Sequence, residues 1–212
     1  MVEQQERRSV AERREQLIDS AISVLTTEGF GAATTRRITD DAGLALGAFH
    51  YAFRNKDDLL EAVLERLSHG IQDVLQRSIR EPEQSLEEFG EQIARSFWSF
   101  VEQTPELQLA QYELTVHALR DDHLRPLAQL QYRRLNEALE QVLGDHPEID
   151  DSGHLRDIAS YIVSVMDGLI LQRIVEDDPE AAQRRLELFI ATLPAVTEQL
   201  RRGAGDSVVQ SA

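Results

Sequence analysis

The sequence contains no cysteine among its 212 residues. Disulfide bonds, thiolate metal ligands and cysteine nucleophiles are therefore excluded. Long hydrophobic runs are also missing, because no segment approaches the roughly 18 consecutive apolar residues of a membrane span. The N-terminal residues are charged and lack the apolar stretch of a signal peptide. We expect a cytoplasmic protein with no membrane partner.

Basic residues are scarce, with 22 lysines and arginines against 38 acidic residues and a net charge of −16. Lys56 is the only lysine. Taken whole, this charge argues against nucleic-acid binding. However, residues 1–56 carry eight basic and eight acidic groups, so the entire net charge lies beyond residue 56. Because a DNA-binding footprint needs only local basic groups, the charge division indicates two functional parts.

Strand-like alternation and catalytic motifs are also absent from the sequence. Apolar residues recur at helical spacing almost throughout, which predicts an all-α fold. Helices are expected near residues 9–28, 34–43 and up to 53, then after Asn55, Ser85, Thr104, Asp121, Leu155 and Asp178. A nucleophile elbow, a P-loop and a dinucleotide-binding glycine pattern are missing. We therefore expect neither an enzyme nor a bound cofactor or metal.

The segment Thr34–Leu60 predicts two short helices joined by a glycine turn, followed by a capped third helix. Such a pair, at about residues 34–53, is typical of a helix-turn-helix whose second helix enters the major groove. Gly43 permits the turn, and the small residues Gly47 and Ala48 permit a close approach to bases. The inward-facing residues are expected to be Ile38, Ala42, Leu44 and Phe49, packed on Leu17, Ala21 and Leu25.

The same segment resembles the TetR family of bacterial transcriptional regulators over residues 11 to about 71. The residues that carry the resemblance are Gly29-Phe30, Thr34-Thr35, Ile38, Ala42-Gly43-Leu44, Gly47, Phe49, Phe53, Asn55-Lys56-Asp57 and Leu59-Leu60. It implies an N-terminal helix-turn-helix domain joined by a long helix to a C-terminal helical ligand-binding and dimerisation domain. The predicted parts are a head (1–56), a body (57–202) and a disordered tail (203–212). The alternative is a helical pair in an ordinary bundle, which the motif residues in register disfavour.

Several head residues are predicted to contact DNA: Thr34, Thr35, Arg36, Arg37, Leu46, Gly47, Ala48, His50, Tyr51 and Lys56. Lys56 matches the phosphate-binding lysine of the family. Leu46 and Ala48 cannot hydrogen-bond to bases, so readout is expected to use the arginines, thymine methyl contacts and DNA shape. Two positions depart from the family pattern, since His50 replaces a tyrosine and Ala45 replaces a capping residue. The arginines at 7, 8, 13 and 14 form either a DNA-contacting arm or a solvated N-terminus.

The body is expected to hold a ligand pocket and a dimer interface, as the resemblance implies. The pocket candidates are Phe97, Trp98, Gln111, Tyr112, His117, Tyr132, Tyr161 and Met166. The interface candidates are Tyr161, Val165, Leu169, Gln172, Leu186, Phe189, Ile190 and Leu193. For each of these residues ordinary core packing is the alternative. Glu113 and His117, four residues apart, are ligand anchors, a metal pair or solvated residues.

The predicted function is a sequence-specific DNA-binding transcriptional regulator, a homodimeric repressor released from double-stranded operator DNA by a small, largely apolar effector. Ligand binding would tilt the long helix near residues 56–80 and change the spacing of the recognition helices. Two alternatives remain. One is an activator or co-repressor-dependent regulator of the same family; the other is a helical adaptor or enzyme without DNA binding.

Overall fold

The computed structural model describes residues 10–77, 85–149, 154–176 and 178–206. Within these ranges the chain forms helices and turns without a strand, which confirms the predicted all-α class. The helices are α1 (Val10–Glu28), α2 (Thr35–Asp41), α3 (Leu46–Ala52), α4 (Lys56–Arg77), α5 (Leu86–Gln103), α6 (Pro105–Arg120), α7 (Arg125–Gly144), α8 (Leu155–Glu176) and α9 (Pro179–Asp206). A single 3₁₀ turn, Phe30–Ala32, lies between α1 and α2.

The helices form two compact units. The head unit contains the chain up to Leu67 together with Glu106–Gln129, and the body unit contains Ser68–Pro105 and the chain from Leu130 onward. Helix α6 belongs to the head unit because Ala110 and Leu114 are buried among its apolar residues. The predicted division into 1–56 and 57–202 differs from these units, and its functional meaning stays a prediction.

The core of the head unit brings together the apolar faces of α1 to α4. Leu17 and Ala21 of α1 are fully buried with Ile38 of α2 and Phe49 of α3, as the helical spacing predicts. Burying a large apolar side chain contributes roughly 1.5–3 kcal/mol. The two short helices are therefore held mainly by this core, because seven-residue helices are marginal by themselves.

Arg14, one of the four N-terminal arginines, has a structural role within the head unit. Its Nη1 donates a hydrogen bond to the carbonyl oxygen of Ala52 at 3.1 Å, and its guanidinium lies 4.2 Å from the centroid of the Phe53 ring. Arg14 therefore links α1 to the end of α3, and the choice between a DNA-contacting arm and a solvated N-terminus stays a prediction. Arg7 and Arg8 lie outside the described residues.

The body unit is built from α5, α8 and α9, with parts of α4 and α7. Ser85 and Glu88 form the predicted capping box at the start of α5, in which each side chain bonds the other residue's backbone N–H. Helix α9 packs against both α5 and α8. Their apolar faces form one core that includes Phe89, Ile93 and Ala159.

Helix α9 is longer than the sequence indicates. It continues through Pro194 to Asp206, although proline removes one backbone hydrogen bond and favours a helix end. Burial of Leu193 before the proline and packing of Val196 after it stabilise the helix across this position. Residues 203–206 of the predicted disordered tail are thus helical, and residues 207–212 lie outside the described residues.

Candidate DNA-binding surface and ligand cavity

A tight turn separates α2 from α3. Gly43 has φ +62°, a left-handed conformation that glycine adopts without a steric penalty. At the start of α2, the Thr34 hydroxyl accepts a hydrogen bond from the backbone N–H of Arg37 at 3.2 Å. Ala45 provides no such side-chain bond at the start of α3, as expected from its replacement of a capping residue. The position of α3 therefore depends on the turn and on buried Phe49.

Helix α3 has a solvent-exposed face formed by four of the residues that are predicted to contact DNA. Leu46 is 48% exposed and Tyr51 is 75% exposed, and Gly47 and His50 are exposed as well. Their spacing places all four on one side of the helix. Ala48 is half-buried. The short helix thus offers a surface with small, apolar and aromatic groups and one imidazole.

The two adjacent arginines of α2 have different surroundings. The Arg37 guanidinium donates to the carboxylate of Glu28, with Nε 2.9 Å from Oε1, and also lies 3.5 Å from Asp41. The hydrogen bond to Glu28 raises the pKa of Arg37 above its usual value. Arg36 is exposed and makes no ion pair with any described residue. Of the two, Arg36 has the guanidinium whose charge is not offset nearby.

Lys56 begins α4 and lies against an aromatic ring. Its Nζ is 4.6 Å from the centroid of Phe30, a cation–π distance. The residue is half-buried, and this burial lowers the pKa of the ammonium from 10.5, opposed by the nearby charge of Asp57. Asn55 fixes the start of the helix, since its Oδ1 accepts from the backbone N–H of Asp58 at 2.8 Å. Lys56, which is predicted to bind a DNA phosphate, therefore has a defined position at the start of α4.

Phe30 also contacts α6 through the pair Glu113 and His117. The backbone N–H of Phe30 donates to Glu113 Oε2 at 2.8 Å, and its ring centroid is 4.0 Å from that of His117. The pair thus packs on the Gly29-Phe30 turn. In the described part of the chain, no group of three or more metal-ligating side chains occurs. The sequence signals Phe30 as a motif residue but not this contact.

The body unit contains a cavity of about 810 Å³, including the part open to solvent. The lining is formed mainly by aliphatic side chains of α5, α7, α8 and α9. The lining residues are Leu75, Leu86, Gly90, Ile93, Ala94, Phe97, Leu135, Leu139, Leu143, Ile158, Ile162, Val163, Met166, Asp167, Ile170, Phe189, Leu193 and Val196.

Of the eight predicted pocket residues, Phe97 and Met166 line this cavity. Trp98, Tyr132 and Tyr161 belong to the body unit without lining the cavity, and Tyr161 is 48% exposed. The other three, Gln111, Tyr112 and His117, lie on α6 in the head unit. Prediction from aromatic and polar-tipped residues therefore missed the aliphatic lining. It also missed Asp167, although the sequence shows this residue as a charged position within the apolar stripe of α8.

The predicted dimer interface is wrong for α9. Leu186, Phe189, Ile190 and Leu193 are all buried within the single chain, because this stripe faces α5 and α8. The large apolar residues of α8 and α9 that are exposed to solvent are instead Tyr161, Leu171, Val175 and Leu188, with exposed fractions of 48%, 49%, 74% and 69%. Val165 and Leu169 are half-buried, and Gln172 is exposed.

Helix α8 has the length and apolar composition of a membrane-spanning helix. The core helices of soluble proteins often meet the same two criteria, so this observation is weak evidence for a membrane span. In the body unit α8 packs against α9 and contributes Ile158, Val163 and Met166 to the cavity.

Two family descriptions match the chain. Residues 17–63 match the bacterial regulatory proteins of the tetR family, and residues 84–195 match the Tetracyclin repressor-like C-terminal domain. The second match covers more than half of the chain. The first segment contains the helix-turn-helix, and the second contains most of the residues that line the cavity.

Similar proteins include the HTH-type nicotine-responsive transcriptional repressor HdnoR of Paenarthrobacter nicotinovorans, 28% identical over 177 residues, which are 81% of this chain and 89% of that protein. The HTH-type transcriptional regulator BetI of Escherichia coli is 26% identical over 79% of this chain and 85% of its own length.

Among solved structures, the multidrug binding protein EbrR complexed with imidazole has a TM-score of 0.63 at 27% identity, covering 84% of this chain and 87% of that one. A member of the TetR family from Streptomyces coelicolor A3, SCO1917, has a TM-score of 0.65 at 28% identity, covering 86% and 98%.

Proposed function

Because this chain belongs to the TetR family of bacterial transcriptional regulators, which are not enzymes, we propose that it is a cytoplasmic homodimeric repressor released from its operator by a small, largely apolar ligand. The observation that carries the ligand-release proposal is the cavity of about 810 Å³ with its almost wholly aliphatic lining. Apolar enclosure with few polar groups is the usual character of such a site.

The operator would meet the head unit at the exposed face of α3 and the starts of α2 and α4. Leu46, Gly47, His50 and Tyr51 form the groove-facing side, with Ala48 behind them. Thr34, Thr35 and the N-terminal backbone N–H groups of α2 are suited to a phosphate. Arg36 and Lys56 would supply charge at the backbone, whereas Arg37 would first have to leave Glu28.

The dimer would form through the exposed apolar residues of α8 and α9. Two helices that pack against each other carry four exposed large apolar side chains, namely Leu188, Val175, Leu171 and Tyr161. Exposed apolar side chains that lie together mark an interaction site. A second copy of the same chain would cover them in a two-fold symmetric contact. We place the interface on these residues in place of the buried α9 stripe.

Ligand binding would act by favouring one of two body conformations. The effect on DNA affinity is then limited by the ligand's preference for that conformation. In this scheme the ligand occupies the cavity between α5, α8 and α9, and α4 is one of the segments through which the chain passes from one unit to the other. The regulator would repress when the cavity is empty.

The central experiment measures DNA release by fluorescence anisotropy, with a labelled duplex from beside the protein's own gene. Small apolar and amphiphilic compounds, nicotine among them, are added at fixed salt. We expect an active compound to weaken DNA binding at least tenfold in the wild type and to have no effect on Gly90→Leu, which fills the cavity beside Leu193. Gly70→Leu is the control, because Gly70 is an exposed α4 residue away from the lining.

An equal effect of the compound on Gly90→Leu would move the ligand site away from the cavity, and a complete lack of active compounds would contradict ligand release. Dimer formation is checked by sedimentation of Leu188→Asp against Leu119→Asp, a change at an exposed apolar residue of α6. Only the first substitution is expected to yield monomers. Deletion of the gene should raise expression from the operator, whereas a fall would indicate an activator.

A further inference from the structure

Asp167 is a charged residue in an otherwise apolar cavity. Among the described residues that line the cavity, its carboxylate is the only ionisable group. It lies on α8 between the lining residue Met166 and Gly168, where helical periodicity alone would favour an apolar side chain. Transfer of an ionised carboxylate into apolar surroundings is costly unless other groups compensate it.

Tyr132 provides part of this compensation from α7. Its hydroxyl group lies close enough to the Asp167 carboxylate for the two groups to interact electrostatically. Burial is the first cause that raises the pKa of Tyr132 well above its usual value, and the charge of Asp167 adds to it. The phenol therefore stays protonated and remains a donor. A carboxylate has about four lone-pair positions, so Asp167 can interact with groups of the protein and with a cationic ligand at the same time.

The geometry points to a ligand class. We propose that the cavity binds an organic cation, with an apolar body among the aliphatic residues of α5 and α9 and one ammonium or amidinium group at Asp167. This inference rests on the proposed function only in taking the cavity as the ligand site. An anionic ligand would place like charges together in apolar surroundings, and a neutral one would gain nothing from the charge of the carboxylate.

The lining explains why one charge is expected and not more. The described residues offer one carboxylate at the cavity, so a second cationic group on the ligand would lie against leucine, isoleucine or phenylalanine side chains. The aliphatic lining fits a compact hydrocarbon or aromatic body. The charge then determines selectivity, and the apolar body supplies most of the affinity by burial.

The test uses one skeleton with three charges: 4-phenylbutylammonium, 4-phenylbutan-1-ol and 4-phenylbutanoate. Binding to the full chain is measured by calorimetry at neutral pH and constant salt. We expect the ammonium to bind at least about tenfold more tightly than the alcohol, since a charge-assisted hydrogen bond is about twice as strong as a neutral one. The carboxylate should bind weakest. Asp167→Asn should remove the preference, and Asp157→Asn, at an exposed acid of the same helix, should retain it.

Equal binding of the ammonium and the alcohol would overturn the proposal, as would a preference that persists in Asp167→Asn or a lack of binding by all three compounds. If Asp167→Asn does not fold, the charge series on the wild type decides by itself. DNA release is measured separately, so a cation that binds without changing DNA affinity would contradict the proposed repressor mechanism and leave the ligand class intact.

Discussion

Substitution of Lys56 by methionine tests the DNA-binding surface at one charge. Lys56→Met removes the ammonium and keeps an unbranched side chain that can still contact the Phe30 ring. The lost cation–π contact is worth about 0.5–1 kcal/mol at an exposed site. Removal of a half-buried charge offsets part of this loss, because burial disfavours the charged form. We therefore expect the fold and the melting temperature to change little.

The effect on DNA binding follows from counterion release. Each phosphate neutralised by a protein cation contributes about 0.9 to the slope of log affinity against log salt concentration. A dimer with two Lys56 contacts should thus lose about 1.8 from this slope when both are replaced. Between about 50 and 200 mM salt, the wild-type advantage over Lys56→Met should shrink by about tenfold.

The assay is fluorescence anisotropy of an operator duplex at several salt concentrations. Arg77→Met is the matched control, because Arg77 is an exposed basic residue of the same helix, paired with Asp73 outside the head unit. It removes the same formal charge and should leave the slope unchanged. A slope for Lys56→Met equal to that of the wild type would refute the assignment of Lys56 to a phosphate.

Two further predictions concern the charge of Lys56 and the backbone conformation of Gly29. Because burial lowers the pKa of Lys56, the wild-type affinity for DNA should fall as the pH is raised towards about 10.4, the pKa of an ordinary lysine, and the fall should begin earlier than for such a lysine. Lys56→Arg, which stays protonated, should bind DNA with less pH dependence over this range, and equal pH profiles would contradict the role of the lysine charge. Gly29 has φ 81° and ψ 171°, a region reached almost only by glycine, so Gly29→Ala should lower the free energy of unfolding by about 1–3 kcal/mol. Gly31→Ala, with open space around the new methyl group, is the control in urea denaturation, and comparable losses in both would exclude the backbone explanation.

The head could be predicted from the sequence because its structure depends on local features. A glycine in the left-handed conformation, a threonine cap and a buried phenylalanine each require a particular residue type at a fixed spacing in the sequence. The structure confirms Gly43, Thr34 and Phe49 in these roles. The ion pair of Arg37 with Glu28 lies beyond such reasoning, since it joins residues from two helices.

The body could be predicted only as a set of helices. Periodicity shows that α9 has an apolar stripe but does not tell whether the stripe meets its own chain or a second copy. The burial of Phe189 and Leu193 answers this question in favour of the chain itself. A cavity is the space left between helices, and its aliphatic lining depends on how closely the backbones approach. Aromatic residues such as Trp98 therefore gave a misleading signal.

The membership of α6 in the head unit has a consequence for the exchange of DNA specificity between such regulators. A hybrid gene joined at residue 56 would take Phe30 from one parent and Glu113 from the other, and it would combine Ala110 with core residues of α1 to α3 from a different parent. A crossover that respects the unit needs more than one junction, so that residues 106–129 are inherited together with the chain up to Leu67. Single-junction hybrids would fold only when both parents carry compatible turns and α6 helices.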